Sequence, residues 1–79
     1  MKIVRIDWHD ARSIDGWVEF KELNESLTLI SSVGYLIKAN KHAYYVAACA
    51  EVDTVDPMYS CIIVIPKNMV QYFETIKEN

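Results

Sequence analysis

The chain has 79 residues, a formal charge of −3, and 52% hydrophobic against 24% charged residues. That composition excludes a disordered tail, and the scattered acids deny it the broad cationic field that double-stranded DNA selects. A domain of this length buries only about 60 to 65% of its unfolded surface, so marginal stability is expected, with apolar surface left over for a homo-oligomer.

Residues Lys2 to Trp8 alternate, with Val4, Ile6 and Trp8 on one side and Ile3, Arg5 and Asp7 on the other. This is the period of a half-buried strand whose core row Trp8 closes. The stretch from Trp8 to Trp17 follows as a connection that mixes flat aromatic faces with His9, Asp10, Arg12, Ser13 and Asp15. Asp15-Gly16 ends it with turn chemistry and a capping carboxylate. Trp17, Val18, Phe20 and Leu23, set among Glu19, Lys21, Glu22 and Glu25, predict a short amphipathic helix over about 17–25. Such a short helix must lie against a sheet.

Leu27 to Lys38 reads as a long strand, bent or bulged at Gly34 so that it serves both sides of a small barrel. Ala39-Asn40-Lys41 is the hairpin connection to a strand from His42 to Val52, whose alanines imply a close neighbouring layer on both faces. An acidic connection, Asp53-Thr54-Val55-Asp56-Pro57, leads to Tyr59–Ile65, which is apolar and β-branched enough to be buried on both faces. After Pro66, the end of the chain fits either a strand over Val70–Ile76 or a helix showing Met69, Tyr72, Phe73 and Ile76 on one face. A single turn at 67–69 followed by a strand is the preferred reading, because it completes a barrel. The expectation is one domain over residues 1–79, mainly β with one short helix: a small five-stranded SH3-like or Sm-like barrel in the order strand, helix, four-stranded meander. A helix packed on a sheet is the second choice.

Cys49 and Cys61 lie in predicted strands, outside any ligand spacing, and are expected to be buried reduced thiols. Charges interrupt the first apolar run and no run reaches about 18 apolar residues, so no membrane association and a cytoplasmic location are expected.

Three motifs carry a resemblance: Trp8-x-Asp10-Ala11-x-Ser13-x-Asp15-Gly16-Trp17, Ser32-Val33-Gly34-Tyr35-Leu36-Ile37, and Ile65-Pro66-Lys67-x-x-Val70. In this order they resemble a family of short bacteriophage and prophage proteins of unassigned function. The resemblance spans nearly the whole chain and implies an accessory gene product working in a host bacterial cytoplasm, of a size typical of counter-defence factors. The helix region here is less acidic and more aromatic than that family's pattern.

Catalysis finds little support. Ser13, His9 and Asp10 are too close along one loop for nucleophile, base and orienter geometry. Asp7, His9 and Asp10 as a metal set lack a visible supporting partner, and Asp10 with Asp15 would need a cleft and one raised pKa. Gly16 and Gly34 are the only glycines, so there is no phosphate-cradling loop. No enzyme, cofactor or metal is expected. The binding candidates are Trp8 and Trp17 sandwiching a planar base, His9, Arg12 or Lys67 reaching a phosphate, and Tyr35 in the pocket wall. Against this, Trp8 and Trp17 each also fit a core position, Arg12 fits a pair with Asp10 or Asp15, and His42 fits a solvated surface site.

Three functional readings follow. The first is a non-enzymatic protein that sequesters a small nucleotide-type immune signal. The second is an inhibitor that binds a host protein through the acidic connection Glu51–Asp56 or an exposed apolar sheet face. The third is a Sm-like ring that touches single-stranded nucleic acid.

Overall fold

The alternation at the start of the chain produces β1 (Lys2–Asp10), in which Val4, Ile6 and Trp8 are buried while Arg5 faces solvent. The computed structural model describes residues 1–10, 17–22 and 27–78. Within them lie β2 (Thr28–Ala39), β3 (Ala43–Ala50), β4 (Tyr59–Pro66) and β5 (Val70–Glu78). A 3-10 turn at Lys67–Met69 joins β4 to β5. The five strands form one antiparallel sheet in the order β4-β3-β2-β1-β5.

β2 divides itself between two neighbours. Residues 28–36 pair with β1, and only Tyr35 to Ala39 pair with β3, with a bulge between Leu36 and Lys38. The crossing point is Gly34. A Cβ there would stand 2.5 Å from the Ala47 carbonyl oxygen and 2.8 Å from Val46 Cγ1, so only glycine lets the two backbones approach this closely. Beyond this point β3 no longer pairs with β2 and continues in partnership with β4 alone.

The core gathers where the two halves meet. Val4, Ile6, Trp8, Val46 and Ile65 are buried together, flanked by Ile30, Leu36, Tyr44 and Val70. The Trp8 indole N–H donates to Ser32 Oγ at 3.0 Å, which satisfies its one polar atom inside the core. Asn40 shapes the β2–β3 turn by accepting from the backbone amides of His42 and Ala43 at 2.8 and 2.9 Å.

Several expectations are corrected. The described part of the anticipated helix over 17–25 is a 3-10 turn at Phe20–Glu22, and Trp17, Val18 and Phe20 are exposed; residues 23–26 lie outside the described residues. The ion pair there, Lys21 to Glu19 at 3.2 Å, joins positions two apart, a spacing that supports no α-helical face. The expected five antiparallel strands form one sheet with β4 and β5 as its two edges, and it does not close into a barrel. Of β4 only Ile65 is buried, while Ile62, Ile63 and Val64 are exposed. Ala48 and both cysteines are also exposed, and the pairing of β3 with β2 ends at Ala47, before Ala48 and Cys49.

Gly34→Ala is expected to destabilise the protein by about 1–3 kcal/mol, the usual cost of forcing atoms into a filled contact. A urea titration monitored by circular dichroism checks this.

Candidate binding site

The residues singled out in the sequence do not converge. Trp8 is 7% exposed and belongs to the core. Trp17 is fully exposed on the β1–β2 connection. His9 is half-buried near the end of β1, opposite Leu29, and Tyr35 sits opposite Ile3 at the other end of the same strand pair. Those two positions are six steps apart along β1, Ile3 to His9, which is about 20 Å along a strand. Lys67 holds its ammonium 4.7 Å from the centre of the Tyr44 ring, which itself stacks on Phe73 at 4.9 Å. Arg12 lies outside the described residues, as do Ser13 and Asp15. A sandwich between Trp8 and Trp17 therefore lacks one wall, since Trp8 presents no free face.

Asp7 is also committed. Arg5 donates to its two carboxylate oxygens at 2.8 and 3.1 Å. That pair, with a further hydrogen bond from Ser31, holds the Asp7 carboxyl below the ordinary carboxylate range. The Arg5 guanidinium lies 5.3 Å from the Tyr72 ring centre, and the Tyr72 hydroxyl donates to Glu74 at 3.0 Å, which raises the Tyr72 pKa. This is a linked polar ladder across β1 and β5, with no vacancy for a metal at Asp7. Among the described residues no group of three histidine, cysteine or carboxylate side chains is placed to hold a metal ion. No helix among them is long and apolar enough to cross a membrane.

The organised feature is the connection between β3 and β4. The Glu51 amide donates to the Met58 carbonyl at 2.9 Å, and the Met58 amide donates back to Glu51 Oε1 at 2.8 Å. These two bonds close the loop at its base. Asp53 takes a left-handed backbone conformation, φ 58°, which turns the chain sharply between them. Tied off this way, the loop exposes Val52, Val55 and Met58 alongside Asp53 and Asp56. Val55, at 95% exposure, has almost no contact with its own chain.

No family model, curated protein or solved structure matches this chain. The chemistry of the site is therefore read from its own residues.

At the base of the loop lies an open cleft of about 350 Å³, lined by Cys49, Ala50, Glu51, Met58, Tyr59 and Ser60. Its walls are mostly apolar, and the carboxylates stand on the loop beyond it. The cleft offers apolar contact, and the loop offers the carboxylates of Asp53 and Asp56. The acidic connection was visible in the sequence. Its clamp was not, because nothing in the spacing of Glu51 and Met58 reveals that one side chain will satisfy the other's amide.

Two outcomes check this geometry. Iodide should quench the emission of Trp17 and spare that of Trp8, so Trp17→Phe is expected to remove nearly all of the quenchable fluorescence. The depressed Asp7 pKa means that its carboxylate contributes stability above the unfolded-state value, and that this contribution is lost as pH falls through the lower folded value. Asp7→Asn should therefore flatten the acid limb of the stability profile measured by urea titrations at successive pH values.

Proposed function

We propose that this chain is a non-enzymatic binding protein that engages a host protein through the loop from Glu51 to Met58 and the cleft beneath it. The observation that carries this is the two-way Glu51–Met58 clamp, which holds exposed valine and methionine side chains among carboxylates. Ordering a loop before binding removes part of the entropic cost of association. A basic surface with an apolar anchor is the complementary partner, and the net charge of −3 favours its approach over that of nucleic acid.

The motif resemblance supports placing this activity in a phage accessory factor acting in a bacterial cytoplasm. We read the fold as a member of the SH3-like and Sm-like group. Support comes from the meander order with β5 beside β1, the turn before β5, and a β2 strand shared between two halves. The nucleotide-sequestering alternative is weakened by the burial of Trp8, which leaves Trp17 as its one exposed indole.

The test is capture of host proteins by the immobilised chain and by two folded variants. Asp53→Lys with Asp56→Lys, and separately Val55→Asp, are each expected to weaken capture about tenfold, which is about 1.4 kcal/mol. Capture should also fall with added salt. A partner retained equally by all three proteins would remove the loop from the binding surface.

A further inference from the structure

The edge strand β4 has the composition of a central strand. Its eight residues, Tyr-Ser-Cys-Ile-Ile-Val-Ile-Pro, carry no charge, yet Ile62 and Val64 on one face and Ile63 on the other are left open. The opposite edge is different: β5 carries Glu74, Lys77 and Glu78, the charges that discourage edge-to-edge pairing. One edge of this sheet is protected and the other is not.

The whole chain points the same way. It exposes 6139 Å² of surface, whereas a folded monomer of 9.1 kDa is expected to expose about 4,900 Å². The excess of about 1,200 Å² is more than the roughly 800 Å² that each partner buries in a standard interface. The radius of gyration is 16.1 Å, against about 12 Å for a compact chain of this length.

We infer that β4 pairs with β4 of a second copy, around a two-fold axis normal to the sheet, to give a homodimer with one continuous antiparallel sheet. Direction allows this arrangement. A two-fold axis normal to the sheet reverses β4 against itself and keeps both core faces on the same side. The main-chain groups fit as well. The Lys67 amide donates to the His42 carbonyl at 2.8 Å, and the alternation of an antiparallel ladder from there turns the amides of Val64 and Ile62 away from β3, up to Cys61, whose left-handed backbone (φ 55°) interrupts the strand. Pro66, which has no amide to offer, takes the next outward position.

Charge agrees with this geometry. Antiparallel pairing lays the acidic loop of one chain beside the end of β4 in the other, where Lys67 stands. The uncharged strand meets itself without repulsion, and Asp56 meets a cation. The two readings share Asp56 and the start of β4, which lines the cleft, but the pairing itself rests on Ile62–Val64, so Val64→Lys tests it without altering the loop from Glu51 to Met58.

The experiment is multi-angle light scattering on the purified chain and two variants, combined with amide hydrogen exchange. The wild type should have twice the mass of one chain. Val64→Lys should be monomeric with an unchanged circular dichroism spectrum, and Ile76→Lys on β5 should remain dimeric. The Ile62 and Val64 amides of the wild type should be protected at high concentration and lose that protection on dilution. This last readout decides the matter even where Val64→Lys fails to fold. A wild-type monomer, a larger ring, a dimer that survives Val64→Lys in a folded protein, or one broken by Ile76→Lys would overturn the inference.

Discussion

The contact on which this structure depends is the approach of β2 to β3 at Gly34. Because no side chain stands there, the Ala47 carbonyl and Val46 close over the backbone of β2, and Val46 reaches the row formed by Val4, Ile6 and Trp8. The same contact sets the limit of pairing. β2 bonds to β3 only from Tyr35 onward, so the far end of the β3–β4 hairpin separates from β2 and its distal loop lies away from the core. A small chain has thereby spent its apolar residues in two places: a compact row at the crossing and an exposed hairpin beyond it.

The exposed hairpin is not a loose end. Its tip is tied by backbone and side chain together at Glu51 and Met58, and Asp53 is held in a left-handed turn that an unconstrained chain visits rarely. Structure of this kind at a surface costs free energy unless something is gained from it, and a pre-shaped surface for a partner is the physical gain on offer. The polar ladder of Asp7, Arg5, Tyr72 and Glu74 is the converse case. Its groups satisfy one another, so they add rigidity to the β1–β5 pair and offer little to a ligand.

Much of the strand pattern was legible because period-two alternation and local punctuation suffice for it. Val4, Ile6 and Trp8 announced β1, Asn40 marked a hairpin, Gly34 marked the bend, and Pro66 with the residues after it marked a turn before a last strand. What misled was apolar character taken as burial. Tyr59–Ile65 reads as a doubly covered strand, and Trp17, Val18 and Phe20 read as a helix face, but burial depends on which neighbour reaches a residue. β3 stops pairing with β2 at Ala47, so the far end of the hairpin has no neighbour to cover it. The loop from Glu51 to Met58 was half legible for the same reason: its acids are in the sequence, while its clamp is a pairing across seven positions.

The loop from Glu51 to Met58, closed by its two hydrogen bonds, is ordered before any partner arrives. Backbone amide relaxation by NMR on the free protein measures this directly. Order parameters near about 0.85 across residues 51–58, matching those of β3 and β4, are the predicted result. Values below about 0.6 would describe a flexible tether and contradict the account.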